Sequence, residues 1–204
     1  MIKNLINSNL LDLSTPGFDI HIIKKYDNSY QVEPFITENL AVLMIRSGSV
    51  KIKLQEMIQN LSARDLIVIP KETTFTVFEV RNKLQLYLII FSSEFAVKNC
   101  LKRELVDSFY LFIRKEPLKA SLEEKEYQVL SLIYKLIHYI NLEVQRTDID
   151  YELYRISLNL FLYELKLIYA KYSSNALVNF TRKENLVIQF LTILSIHYKK
   201  EKHR

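Results

Sequence analysis

The side chains best suited to metal binding or nucleophilic catalysis are few here, and their spacing forbids most of that chemistry. The four histidines, His21, His138, His197 and His203, are widely scattered, which argues against a conventional zinc enzyme. The lone cysteine, Cys100, cannot form an internal disulfide or a cysteine-rich zinc site, and it suits a reducing compartment. It falls among Val97, Leu101 and Glu104 on a helical pattern, so it reads as a small core residue rather than a nucleophile. No G-x-S-x-G turn presents a serine for acyl transfer. Only Gly17 and Gly48 are glycines, so a dinucleotide fingerprint and a Walker A loop are both absent. Glu123, Glu124 and Glu126 read as an exposed helix start, not as a catalytic carboxylate pair. The expectation is a protein that is not an enzyme, with no metal and no cofactor.

What remains is binding chemistry. His21, Tyr30, Phe35, Arg46 and Tyr87 are polar or aromatic residues that could line a small-molecule site. Arg46 could meet a carboxylate or phosphate through two parallel hydrogen bonds, or simply be a surface arginine at a strand end. His21, between Ile20 and Ile22, reads as a satisfied histidine on a strand rather than as a base.

Positioning such residues needs a folded frame. The chain has 204 residues, 49% hydrophobic and 25% charged, enough for one large domain or a domain plus an extension. The net charge of +5 permits contact with nucleic acid without demonstrating it. Basic residues concentrate only at Lys199, Lys200, Lys202, His203 and Arg204, which fit a solvated helix end. The first residues, Met1 to Leu13, are interrupted by Asn4, Asn7, Asn9 and Asp12, unlike a signal peptide. The longest uncharged stretch, Asn185–Tyr198, is shorter than the ~20 residues of a membrane span. A cytoplasmic protein with no membrane contact is expected.

Up to about Phe91 the pattern is that of short strands: Ile20–Lys25, Leu40–Arg46, Val50–Leu54, Met57–Leu61, Leu66–Ile69, Phe75–Val80 and Leu84–Phe91. Val50, Ile52 and Leu54 alternate with Lys51 and Lys53, as in a strand wet on one side. Leu66–Ile69 and Leu86–Phe91 are apolar on both faces and must be covered on both. Ser47-Gly48-Ser49 reads as a turn, and the whole as a sandwich or small barrel.

From Ser92 the period becomes helical. One helix is expected from Ser92 or Ser93 to about Ile113. A second is expected behind a capping box of Ser121 and Glu124, with Leu130, Ile133, Tyr134, Ile137 and Ile140 on one face. A third, capped by Asp148 or Asp150, runs to about Tyr172. Its stripe is Tyr151, Tyr154, Leu158, Phe161, Leu162, Leu165, Ile168 and Tyr169, and Leu153, Ile156, Leu160 and Leu167 lie off it. Two apolar faces require two partners, one of which can be a second copy of the chain. After Ser173-Ser174-Asn175, Thr181 and Glu184 can cap a last amphipathic helix ending in the basic cluster.

Two stretches carry a family resemblance. Leu40–Val50 with its Ser47-Gly48-Ser49, followed by Leu61-Ser62-Ala63-Arg64-Asp65-Leu66-Ile67-Val68-Ile69-Pro70, resembles the N-terminal barrel of AraC-type transcription regulators. Asp65 and Pro70 match that pattern, while Arg64 stands where glycine is usual. Leu186–Glu201 is similar to the first helix of the family's DNA-binding domain. The resemblance implies an α+β chain: a cupin-like β-barrel of jelly-roll type over residues 1–115 as sensor, dimerisation helices over 116–176, and over 177–204 a linker and the first helix of a DNA-binding domain. The chain then reads as stopping before the helix-turn-helix units, so DNA would be contacted only through a domain beyond it. No H-x-H pair exists for the metal site of a cupin enzyme. The implied partners are a second copy, with Leu158, Leu162, Leu165 and Tyr169 as the seam, and a small-molecule effector at His21, Tyr30, Phe35, Arg46 and Tyr87. The alternative is a stand-alone, metal-free cupin that binds a small molecule.

Overall fold

The computed structural model describes residues 2–7, 17–26, 33–100, 118–144 and 151–172. In chain order these form α1 (Ile2–Ile6), β1 (Phe18–Tyr26), β2 (Phe35–Ile36), β3 (Leu40–Leu54), β4 (Met57–Ser62), β5 (Asp65–Ile69), β6 (Thr74–Phe91), α2 (Ser93–Asn99), β7 (Leu118–Ser121), α3 (Glu124–Val144) and α4 (Tyr151–Tyr172). Every strand pairing is antiparallel. The strands lie in the order β1-β6-β3-β5-β7, with β2 added to β6 and β4 added to β3. This is the barrel-like antiparallel architecture expected of the strand-rich half.

The expected turn at Ser47-Gly48-Ser49 is instead a corner inside one long strand. β3 runs through it without ending, and β6 likewise joins the two strands expected at 75–80 and 84–91. Register shifts fall between Ile45 and Ser47, between Ser47 and Ser49, and between Lys51 and Ile52. On the facing strand Asn82 and Lys83 have φ of 58° and 49°. Gly48 has φ +77°, and a Cβ there would stand 2.7 Å from the Arg81 carbonyl oxygen and 2.8 Å from that of Asn82. Only glycine lets the two backbones bend this closely together.

Extra residues at the corner change which side chains point inward. Ala41, Leu43 and Ile45 before it, and Val50, Ile52 and Leu54 after it, join the same interior cluster. Sheet curvature thus brings both halves of β3 around one apolar interior. Lys51 is exposed and Lys53 half-buried, as the one-sided alternation requires. Short α1 adds Ile2 and Ile6 to that interior. It is fastened by the Asn7 amide, which donates to the Ile36 carbonyl at 2.7 Å, while the Glu38 N–H donates to the Asn7 Oδ1 at 3.1 Å.

The other sheet face carries Phe18, Ile20, Leu40, Val42, Met44, Leu66, Val68, Tyr87, Ile89 and Phe91, and α3 and α4 pack on it. The stretches expected to be covered on both faces, Leu66–Ile69 and Leu86–Phe91, are buried throughout. Tyr134 of α3 donates to the Val42 carbonyl at 3.2 Å, and its ring centre lies 5.0 Å from that of Tyr87, tilted, and 5.3 Å from that of Phe161 of α4, edge to face. Lys171, near the end of α4, bonds Glu123 at 2.6 Å and Glu126 at 2.8 Å, beside the start of α3. The sheet and both helices therefore share one core, and the described residues form one compact unit. The expected division at 115/116 does not separate two cores, because β7 adds a strand beyond it and pairs with β5.

Two helix boundaries differ from expectation. Ser92 caps α2 as expected, accepting from the Phe95 N–H at 3.1 Å, but α2 ends at Asn99, and Cys100 is already extended. Asn99 donates its side-chain amide to the Phe95 carbonyl at 2.8 Å, closing the last turn. At the start of α3 the Glu126 carboxylate accepts from the Glu123 N–H at 2.8 Å, in place of the expected Ser121–Glu124 pair. Ser121 lies in β7 and donates to Asp65 at 2.6 Å. The expected cap of α4 at Asp148 or Asp150 and the last helix lie outside the described residues.

Asp65, matching the resemblance, is buried and accepts from the Ser62 N–H at 2.8 Å as well as from Ser121, with Lys119 at 3.3 Å. Arg64, in the place where glycine is usual, has φ +73° and an exposed ion pair with Glu124 at 2.9 Å. Left-handed strain of ~1–2 kcal/mol is set against the lower chain entropy cost of a non-glycine residue and a weak surface pair, each ~1 kcal/mol or less. Arg64→Gly is therefore expected to change stability by less than ~1 kcal/mol. Gly48→Ala should cost about 2–4 kcal/mol, since strain and backbone collision add. Urea unfolding of the two variants checks this; equal midpoints would contradict it.

Candidate functional site

The residues expected to bind an effector are not brought to one place. Phe35 packs in the interior, its ring 5.3 Å from Phe75. Tyr87 points the other way, into the core beneath the helices, and Arg46 stacks over its ring at 4.9 Å. These two are together, but outside the barrel interior rather than lining it. The reason is parity: Met44 and Tyr87 are paired and both face α3, so Arg46, two residues on, follows them. Tyr30 lies outside the described residues. The interior itself is filled by Leu43, Ile45, Ile67, Leu86, Leu88 and Phe75 among others.

His21 is the expected residue that does reach a recess. Among the described residues β1 has a neighbouring strand on one side only, β6. Along its other edge runs an open recess of about 450 Å³ lined by Leu5, His21, Ile22, Ile23, Lys24, Lys25 and His138. α1 supplies Leu5 and α3 supplies His138, so three elements frame it. Strand alternation and the edge position turn Ile23 inward and leave Lys24 and Lys25 exposed. Lysines on an edge strand also prevent pairing with a foreign strand.

The recess is polar on one flank. His21 Nε2 lies 2.9 Å from Asp19 Oδ2, and Asp19 Oδ1 accepts from the Ile20 N–H at 2.8 Å. His138 is hydrogen-bonded to the backbone of Ile20, and its Nδ1 is buried with no hydrogen-bond partner. Burial pushes the His138 imidazole below its usual range, against the opposing effect of that backbone bond; His21 and Lys24 nearby lower it further, and Asp19 raises it. His138 is therefore neutral at pH 7. Sequence reasoning did not single out His138. The only signal was its place on α3, one residue past Ile137 on the buried face.

The expected seam residues are committed elsewhere. Leu158, Leu162, Leu165 and Tyr169 are buried in the chain's own core, at 8% exposure or less. They face the sheet and α3, so they are unavailable to a second copy in this arrangement. The outward face of α4 is the set that lay off the stripe, Leu153, Ile156, Leu160 and Leu167, together with Tyr163. On α3, Leu132 and Tyr139 are 65% and 64% exposed, and Leu136 and Leu142 are exposed as well.

Among the described residues no group of three or more His, Cys, Asp or Glu is arranged to hold a metal, and no helix is long and apolar enough to cross a membrane. Burial pushes the Cys100 thiol up to about 12, so it stays protonated at neutral pH.

No protein-family model matches the sequence, and no curated protein matches it. Among solved structures the chain is similar to unsaturated fatty acid bound wild-type ToxT from Vibrio cholerae strain SCE256, with 14% identity, a TM-score of 0.46 and coverage of 76% of this chain and 56% of that one. A second ToxT crystal form from Vibrio cholerae has 16% identity, a TM-score of 0.45 and coverage of 80% and 60%. The cupin domain of Cnp3 from Schizosaccharomyces pombe has 10% identity, a TM-score of 0.34 and coverage of 38% and 57%. The chain spans 56% and 60% of the length of the two ToxT chains.

The His138 environment makes a test by pH. A histidine held below its usual range stabilises the fold while neutral, and that contribution is lost as pH falls from about 6.5 toward the lower native value. The stability advantage of the wild type over His138→Gln should therefore shrink on acidification through that window. Denaturant unfolding of both proteins at several pH values checks it; a difference independent of pH would contradict it.

Proposed function

We propose that this chain is the effector-sensing and pairing part of an AraC-type transcription regulator, a binding module rather than an enzyme. The observation that carries the reading is the two-sided helix pair. One side of α3 and α4 closes the sheet; the other exposes nine large apolar side chains. Covering them would remove on the order of 800 Å² per copy, which is what a standard stable interface buries on each partner. A second copy of the chain is the proposed cover. DNA would be met by residues outside the described part, and two copies would set the spacing of two half-sites.

The sensing step falls to the recess beside β1. It is framed by the sheet through β1 and by the helix pair through His138, so a ligand there touches both layers. Such a ligand shifts the pairing of copies only if it binds one arrangement of these layers better than the other.

Light scattering on a size-exclusion column tests the pairing. The 204-residue protein at micromolar concentration should have the mass of two chains, and the double variant Ile156→Ser, Leu160→Ser the mass of one. Both positions are about half exposed, so the fold should survive the change. A monomeric wild type would overturn the proposal.

A further inference from the structure

Among the described residues β1 is an edge strand, yet at Ile20 its outward backbone is closed by side chains. The Ile20 N–H donates to Asp19 Oδ1 at 2.8 Å. The N–H and carbonyl of one strand residue point to the same edge, so the Ile20 carbonyl faces outward as well. With the N–H already engaged, the bond between His138 and the Ile20 backbone uses that carbonyl, and the imidazole N–H donates it. His138 Nδ1 is buried with no partner, so the donor is Nε2 and Nδ1 carries only a lone pair. One side chain of α3 thus does for this edge what a neighbouring strand would do.

The same arrangement makes the contact sensitive to acid. A proton added at Nδ1 creates a buried N–H with nothing to accept it. Among the described residues, β1 faces His138 with Asp19, His21 and Lys24. Lys25 lines the same recess and is itself engaged, and α1 contributes only the apolar Leu5. On α3, Lys135 lies one turn earlier and is exposed. The Asp19 carboxylate is divided between His21 Nε2, at 2.9 Å, and the Ile20 N–H. Burial holds the His138 imidazole below its usual range although the Ile20 bond opposes this; His21 and Lys24 add to the lowering, and Asp19 works against it.

We propose that the bond from His138 to the Ile20 carbonyl is an acid-opened latch between the helix pair and the barrel. Opening lifts α3 from the edge of β1 while the interior of the barrel stays folded. The latch joins two elements of one chain and is independent of the regulator reading. In the open form the imidazole is in water and takes up a proton at about pH 6.5, whereas the latched form takes it up only at lower pH. Above that window both forms are neutral and pH leaves the balance unchanged. Inside it, each unit of acidification favours the open form by up to about tenfold.

Thiol labelling of the 204-residue protein with dithiodipyridine, in a Cys100→Ser background, tests the latch. Ile20→Cys places a thiol on the sheet face that the helices cover, and Ile67→Cys places one in the barrel interior. After correction for the thiolate fraction, labelling of the Ile20→Cys protein should accelerate by up to about tenfold per pH unit below about pH 6.5, and labelling of the Ile67→Cys protein should not. Adding His138→Gln, whose amide can donate to the carbonyl but does not titrate, should abolish the acceleration. In the wild type, nitrogen NMR of the imidazole should show the neutral His138 protonated on Nε2. No acceleration, an equal acceleration with His138→Gln or at Ile67→Cys, or a neutral imidazole protonated on Nδ1 would each overturn the proposal.

Discussion

The close approach of Gly48 to the Arg81–Asn82 backbone holds the rest of the molecule in place. β3 and β6 are the two longest strands, and they bend at the same level because a Cβ is missing on one and left-handed residues sit on the other. A straight pair would leave a flat sheet with two apolar faces and no interior. The shared corner wraps the sheet around its own apolar side chains and, through the shift in register, keeps them pointing inward on both halves. It also decides which part of the sheet needs a second cover. Beyond the corner, β3 and β6 can be wet outside. Before it, Val42, Met44 and Ile89 still face outward and must be buried by something else.

The helix pair answers that requirement. α3 and α4 take the uncovered sheet face with Ile133, Tyr134, Phe161 and Leu165, and an ion-pair cluster around Lys171 holds the end of one helix beside the start of the other. The two helices are richer in apolar residues than this task needs. The surplus lies opposite the sheet, which makes the pair a connecting layer: barrel on one side and, in the proposed assembly, a second copy on the other. The recess along β1 lies where barrel and connecting layer meet. A ligand there is well placed to bias how the layer sits, because His138 belongs to the layer and His21 to the barrel.

Much of this was legible in the residues. Alternation in Val50–Leu54 and double-sided burial of Leu66–Ile69 and Leu86–Phe91 came from hydrophobic period alone, and so did the buried stripes of α3 and α4. Gly48 was noticed but misread, because a glycine between two serines has the same signature in a turn and in a corner. The choice between them depends on a second strand bending opposite, and Asn82 and Lys83 carry no glycine to announce it. Where the expected effector residues lie is hidden from the sequence for a related reason. Which face Arg46 and Tyr87 occupy depends on register, which no local pattern states, and His138 comes to the recess from a helix far from β1 in the chain. The two stripes of α4 were visible as two stripes; which of them meets the sheet needed the third dimension.

The division of the helix pair into an inner face for its own sheet and an outer face for a second copy is the claim on which the account rests. Cysteine scanning of α4 measures it most directly. In a Cys100→Ser background, single cysteines at Leu153, Ile156, Leu160, Tyr163 and Leu167, and at Leu158 and Leu162 as inward controls, are oxidised and resolved by mass under denaturing conditions. The account expects covalent dimers from outward positions and none from Leu158 or Leu162. Dimers from the inward positions, or none from any, would contradict it.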